Sequence, residues 1–296
     1  MKLLKYFLLG VIILIVLISS SCNSLSKKDS KQNQIITLKS TSISFPIQLL
    51  DESGKVISMR LKCLNVNNFT IENDVENSSL VISIEDKVDI PSISSSLLAW
   101  GKVNFFETYT RDETIKYLEK ISNSDCFQKL DELLGFSKNS NSTATFGIAD
   151  VKDTSLINQY LKASVLKTVL PADFRFMWSS QFTDDHKLEL YTISNSNITL
   201  NESSIKSSSI DKNKDYIGVL IEFKENSWSQ WESITKKNID RQIAFVIDGK
   251  VYSAPMVRSA ISSGKAEITG GFTESEARNL VAFISCGLLP LEFEVK

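Results

Sequence analysis

Residues 238–291 hold the densest run of local signals in the chain, and the rest must fold around what they dictate. QIAFVI (242–247) is apolar and β-prone, Asp248-Gly249 offers the positive-φ positions of a tight turn, and VYSAP resumes an extended pattern. A β-hairpin is expected there. Pro255 has no amide to give a ladder and ends the second strand. AEIT (266–269) reads as a further short strand, broken by Gly270 and Gly271. Thr273 stands three residues before Glu276, a capping box that opens a helix running to Gly287. Along it Ala277, Leu280, Val281, Ile284 and Leu288 share one apolar face, which must pack on something. Leu289-Pro290-Leu291 opens a final strand.

The N-terminus obeys a different logic. Lys2 and Lys5 precede an uncharged apolar run over residues 6–18, shorter than the roughly 20 residues that a membrane-crossing helix needs. Ser19, Ser20 and Ser21 then lead into Cys22. This is the order of a signal peptide over residues 1–21, and a cysteine directly after small residues resembles a bacterial lipobox, whose cleavage leaves Cys22 as a lipidated N-terminus. Ser19 departs from that pattern, since a leucine-like residue is usual there and Ile18 lies one place earlier. An uncleaved anchor or an ordinary secretory signal is the alternative, and all three readings put the remainder of the chain outside the cytoplasm. Residues 22–35, polar and without periodicity, form a tether.

Between tether and hairpin the pattern alternates strands and helices. ISFPIQLL (43–50) is strand-like, with Asp51 capping a helix that carries Val56, Ile57, Leu61 and Leu64; MRLKCL alternates well enough to be a strand, and helix is the preferred reading. Strands at 69–72 and 80–85 come next, then a helix with Pro91 in its first turn, Leu97, Leu98 and Trp100 on it and Gly101 at its end, then strand KVNFFETY. The sum is β-α-β-β-α-β, a ferredoxin-like base within an α+β fold. Thr110 with Glu113 makes another capping box, and Asp125 caps a helix with Phe127, Leu130 and Leu134 on one face, stopped by Gly135. SKNSNST (137–143) separates residues 36–136 from a second α+β region over 137–296. There we expect a strand at 144–148, a helix at 154–166, strands at 174–179 and 187–193, and a buried strand DYIGVLIEF. Residues 194–213 have the composition of a mobile loop, and Ser227 with Gln230 caps a helix bearing Trp228, Trp231, Ile234 and Ile239.

Nothing in these residues assembles a reaction centre. The single histidine, His186, sits between Asp185 and Lys187 in a polar turn, a poor start for a triad. His186 to Glu189 is not a two-histidine metal motif, and Gly249-Lys250 and Gly264-Lys265 lack the glycine that phosphate cradling needs five residues earlier. No cofactor is expected. With 33 Lys and Arg against 35 Asp and Glu, nucleic acid is excluded as a natural partner. Trp228 and Trp231 are tempting anchors for a partner, yet their helical spacing with Ile234 favours core packing. Gly270 and Gly271 serve backbone geometry, though their amides could receive a peptide segment. Beyond Cys22, the cysteines Cys63, Cys126 and Cys286 show no CxxC; a bridge between Cys63 and Cys126 and three separate thiols both remain open. Cys286 falls opposite its helix's apolar stripe.

The phrases AFVIDG, SAP, ITGGFTESEA and GLLPLEFEV, in this order, resemble the first periplasmic domain of SecD, and NFFETY, ADVKDTSLINQYL, LPADFRFMW and ELYTIS resemble the middle portion of the SecDF fusions of the Bacteroidetes group. The resemblance is strong after Trp100 and weak before it. It implies a base over 36–136 and a head over 137–296, with the last strand returning to the base. It also implies a non-enzymatic envelope protein that engages unfolded or exported polypeptide or a translocon subunit. Because the family couples protons through transmembrane helices, a chain ending at Lys296 is not expected to be a motor by itself. The alternative is a structural or regulatory lipoprotein with one folded partner. Membrane attachment would run through the lipid on Cys22, and contact with clients is expected between about 144 and 271, with the loop 194–213 as the adaptable surface.

The lipobox reading makes one direct prediction. A multiply acylated Cys22 holds the protein in membrane fractions, so Cys22→Ala should move it into the soluble fraction on carbonate extraction; unchanged membrane retention counts against lipidation.

Overall fold

A computed structural model describes residues 33–42, 44–138, 143–183, 185–195, 200–212 and 216–296; Cys22 and the leader lie outside them. In chain order the first elements are β1 (Gln34–Ser40), α1 (Ile47–Cys63), β2 (Phe69–Asp74), β3 (Ser79–Ile84), α2 (Ile90–Leu98) and β4 (Val103–Thr108). Next come α3 (Arg111–Leu118), α4 (Asp125–Leu134), β5 (Thr145–Asp150), α5 (Thr154–Leu161), α6 (Ser164–Val169), β6 (Phe174–Trp178) and β7 (Lys187–Ser194). The rest are β8 (Ile205–Lys212), β9 (Ile217–Phe223), α7 (Trp228–Lys237), β10 (Ile243–Ile247), β11 (Lys250–Ser253), β12 (Lys265–Ile268), α8 (Glu274–Cys286) and β13 (Phe293–Val295). The chain is α+β, with its sheets antiparallel throughout the named strand pairs.

The first sheet runs β13-β1-β3-β2, the strand order of a ferredoxin-like unit. Its first strand is QIITLKS, not the expected ISFPIQLL: Ile36 and Leu38 alternate inward, whereas Pro46, at φ −61, is the N-cap from which α1 begins. Asp51 therefore lies inside the helix, where it accepts from the Asn73 side chain. The fourth strand is also not the expected one. KVNFFETY pairs elsewhere, and β13 takes that place beside β1, Leu38 opposite Val295 and Ser40 opposite Phe293. α1 and α2 cover this sheet with Leu50, Ile57, Leu61 and Leu97 against Leu80 and Ile82. The change from one sheet to the next therefore falls at residues 99–102, ahead of the Ser/Asn stretch expected to divide the chain.

The second sheet runs β11-β10-β4-β7, with β5 and β6 both paired to β7. A parallel bridge from Ser179 to Val251, with the Ser180 amide donating to the Val251 carbonyl at 2.8 Å, brings the end of β6 back to β11. The strands thus close on themselves around Ile193, Ala244, Val246 and Val251, with Phe106, Met177 and Tyr191 packed alongside. All five residues of β10 are buried. Ala244 and Val246 face this interior, while Ile243, Phe245 and Ile247 face outward into a larger core. A strand buried on both sides reads as an unbroken apolar run, as IAFVI does.

That outer core is roofed by the third sheet, β12-β9-β8, and by α7 and α8. Its third strand, β8, takes up the C-terminal part of the segment expected to be a mobile loop. IKSSSIDK pairs with β9 from Ile205 to Lys212, yet only Ile205 of it is buried, so its composition is that of a solvated edge. Smaller departures have local causes. The helix expected at 154–166 breaks into α5 and α6 at Ala163, which is extended at ψ 136. Ser124, not Asp125, caps α4 by accepting from the Phe127 amide, and Ser227 makes no side-chain cap bond. Trp100 lies past α2 and is 50% exposed, and Leu288 and Ile239 are exposed rather than on their helices' inner faces. The two expected capping boxes are both present, Thr110 with Glu113 and Thr273 with Glu276.

The chain passes twice between the first sheet and the rest, at Ala99–Lys102 and after Cys286, and the two passages touch: the Leu289 amide donates to the Trp100 carbonyl at 2.9 Å. Arg60, fully buried on α1, sits between them. Its guanidinium donates to the carbonyls of Ser96 (3.3 Å), Leu97 (3.2 Å), Ala99, Trp100 (3.2 Å) and Gly287 (3.2 Å). From the other side the Asp248 carboxylate accepts from the Gly101 and Lys102 amides at 3.2 and 2.9 Å. Burial lowers the Arg60 pKa to about 10, opposed by Cys286 and Asp248, and it stays a cation at neutral pH.

Gly101 and Gly271 make a paired test. Both have positive φ, 79 and 67, but a Cβ on Gly101 would meet the Arg60 Nη2 at 2.8 Å and the Gly287 carbonyl at 3.1 Å, whereas one on Gly271 meets nothing within 4 Å. Urea unfolding should show Gly271→Ala costing about 1 kcal/mol, from backbone strain alone, and Gly101→Ala about 3 kcal/mol. Equal losses would mean the passage tolerates a side chain.

Candidate functional site

The hairpin β10–β11 and the extended segment after it build an apolar recess. Asp248 and Gly249 adopt φ 50 and 75, so the chain reverses in two residues and the hairpin's strands align. Beyond Ser253 the chain stays pinned to the start of β10. The Ile243 amide donates to the Pro255 carbonyl, the Val257 amide to the Arg241 carbonyl, and the Asp240 amide to the Val257 carbonyl. Gln242 adds side-chain ties, its Nε2 to the Ala254 carbonyl and its Oε1 accepting from the Ala144 amide at 2.6 Å.

Residues 255–261, α7 and β12 thereby enclose a cleft of about 260 Å³ over the outer face of β10. Its floor is the rings of Phe105, Trp231 and Phe245, with Phe105 5.5 Å from Trp231 and 5.4 Å from Phe245, centroid to centroid, and Phe223 packed behind at 5.5 Å. Trp231 is fixed by donating Nε1–H to the Lys265 carbonyl at 3.0 Å, and Trp228 likewise donates to the Phe223 carbonyl at 2.9 Å. Both tryptophans are thus held in the core, as their spacing indicated. Met256 and Ile261 form the rim, and Arg258 and Glu267 put one charge of each sign at the mouth. A thioether rim over an aromatic floor accepts a bulky apolar side chain without demanding one shape.

Pro255 also borders a second, more polar recess of about 430 Å³, lined by Thr269, Gly270, Tyr191 and the exposed Phe182. Tyr191 donates to the Glu189 carboxylate at 2.6 Å, and burial together with that carboxylate raises its pKa. Asp248 faces a third recess beside Tyr252, Phe272 and Phe283, so of the candidate turn residues Pro255 and Gly270 share the second recess while Asp248 borders another. Gly270 and Gly271 lie at the strand-to-helix turn before Thr273. His186 occupies a turn at φ 56, its amide donating to the Thr183 carbonyl. Among the described residues no group of His, Cys, Asp and Glu could hold a metal ion. Near the cleft, Arg241 makes a two-pronged pair with Glu113 at 2.9 Å, which lowers the Glu113 pKa and anchors the start of β10 to α3.

Three features escape any reading of local sequence. Arg60 and Asp248 act on backbone distant in sequence, which no local pattern reports. Met256 and Ile261 lie in irregular chain with no periodicity to mark them. Cys286, expected away from its helix's apolar side, is buried, and its Sγ lies 3.6 Å from that of Cys63, while Cys126 packs in another cluster against Tyr160.

The stretch that builds the cleft also carries the likeness to known proteins. The family described as "SecDF, P1 head subdomain" matches residues 180–291. These residues are similar to the P1 head subdomain of SecDF. The match contains AFVIDG, SAP and ITGGFTESEA, the phrases that carried the resemblance. "Protein translocase subunit SecD" of Syntrophobacter fumaroxidans is 40% identical over 86 residues, 29% of this chain and 16% of that protein. SecD of Leptotrichia buccalis is 34% identical over 101 residues, 33% of this chain and 24% of its own. SecD of Mycobacterium tuberculosis is 33% identical over 124 residues, covering 38% and 22%. The matches thus span a quarter or less of these relatives' lengths. The crystal structure of SecDF in a super-membrane-facing form shares the fold at TM-score 0.53 and 16% identity, across 99% of this chain and 34% of that one.

The cleft's floor and rim should respond differently to truncation. Trp231→Ala removes a buried ring and its carbonyl bond and should cost about 3–5 kcal/mol in urea unfolding; Met256→Ala, on the rim, should cost about 1 kcal/mol or less. A Met256→Ala loss as large as that of Trp231→Ala would show the rim to be core.

Proposed function

We propose that this chain is a lipid-anchored, non-enzymatic envelope protein that binds unfolded or exported polypeptide, or the export machinery itself, through its head. The single observation that supports this most is the apolar cleft under Met256 and Ile261, whose lining apart from Phe105 lies within the residues that match the P1 head. An extended client with a bulky apolar side chain would seat it on the Phe105, Trp231 and Phe245 rings. Apolar burial of that kind is worth about 1.5–3 kcal/mol per side chain, enough for weak, repeatable capture but not for tight binding. That the relatives bear the name protein translocase subunit supports the same reading. No helix among the described residues is long and apolar enough to cross a membrane; on this proposal attachment comes from Cys22. We further propose that the β13-β1-β3-β2 unit serves as the base and the remainder as the head. A lipoprotein with one folded partner is the competing function.

The test uses the full chain in detergent, with a permanently unfolded secretory protein and its folded form as probes. Binding to the unfolded form alone, weakened about tenfold or more by Met256→Asp with an unchanged thermal midpoint, is the expected result. Equal binding to both forms, or none, would sink the client reading and favour a specific folded partner.

A further inference from the structure

We infer that Cys63 and Cys286 are a dithiol pair that a disulfide-bearing oxidant converts to a bond between the ends of α1 and α8. The two residues are 223 apart in sequence, yet their sulfurs lie 3.6 Å apart, where the last turn of each helix meets the other. A disulfide needs about 2.05 Å between sulfurs, a closure that side-chain rotation supplies when helices are already packed. Cys126 takes no part: it is buried with Leu130, Phe136 and Ile157, and its thiol faces the Tyr160 carbonyl at 3.6 Å. A bridge between Cys63 and Cys126 is therefore incompatible with this fold.

The two thiols have different roles. Cys63 is partly exposed, whereas Cys286 is 5% exposed. Burial and the neighbouring Cys63 push the Cys286 pKa up to about 12, against the pull of the Arg60 cation. Cys63 thus reacts first. Its thiolate attacks one sulfur of the oxidant R–S–S–R and expels one RS⁻, leaving a mixed disulfide. Cys286 then gives up its proton and attacks the Cys63 sulfur, expelling the second RS⁻. Two electrons pass to the oxidant, which leaves as two thiols. The product bond fastens the second passage of the chain, at Gly287, to the helix that carries Arg60.

Oxidation in the cell rests on the envelope location proposed above; the geometry does not. In the experiment, the reduced full chain is equilibrated with oxidised and reduced glutathione, quenched in acid, alkylated and digested for mass spectrometry. The linked peptides bearing Cys63 and Cys286 should appear at ratios that leave Cys126 alkylated. Cys126→Ser should leave the bond intact, while Cys63→Ser and Cys286→Ser each abolish it. Oxidation should raise the thermal midpoint by roughly 5–10 °C, as expected for a bond closing so long a loop. Full alkylation of both residues at every ratio, or a bond to Cys126, overturns the inference. The same digest of acid-quenched cells separates the two claims: a reduced pair in cells that oxidises readily in glutathione supports the pair and counts against the envelope location.

Discussion

A single buried cation holds the two parts of this molecule together. Among the described residues no carboxylate forms an ion pair with Arg60; its charge is solvated by carbonyl oxygens drawn from the end of α2, from the first passage between sheets and from the C-cap of α8. Those are the orphan carbonyls that a helix leaves at its C-terminus, and a positive charge there is favourable on dipole grounds as well. Asp248 completes the arrangement by accepting from the amides on the opposite side of the same passage. The crossing strand of chain is thus held by its oxygens from one side and by its nitrogens from the other. Position 101 favours glycine, because its φ is positive and a Cβ there would stand 2.8 Å from the guanidinium and 3.1 Å from the Gly287 carbonyl.

From that fixed point the rest is built by layers. β4 leaves the passage with its side chains alternating between two cores, and β10 beside it does the same. One wall therefore serves both the closed ring of strands and the aromatic core beneath the third sheet. The cleft borrows its floor from this wall, so its rings are positioned by packing on strands and not by loops. Only its rim is irregular chain, pinned at a few backbone bonds.

Much of this was legible in the residues. The capping boxes at Thr110 and Thr273, the tight turn at Asp248-Gly249 and the doubly buried IAFVI all declare themselves through short-range chemistry. What was hidden depends on partners far along the chain. KVNFFETY is strand-like wherever it goes, and nothing within it says that β10 rather than β1 is its neighbour. IKSSSIDK looks like loop because an edge strand with solvent on most sides carries loop composition. Cys286 seemed peripheral on a helical wheel because a wheel counts one apolar face, and α8 is covered both by the third sheet and by α1.

The placement of β13 has a kinetic meaning. The first sheet is closed by residues about 250 positions later than those they pair with, as the Thr41–Glu292 contact shows. Between them lies the whole of the second and third sheets, whose pairings are all nearer in sequence. Loop closure over such a span becomes favourable only once the intervening chain has compacted. For a chain that emerges from its N-terminus, β1, α1, β2, β3 and α2 wait as an incomplete sheet with an open edge at β1. They are completed last, when the compact remainder delivers β13 to that edge.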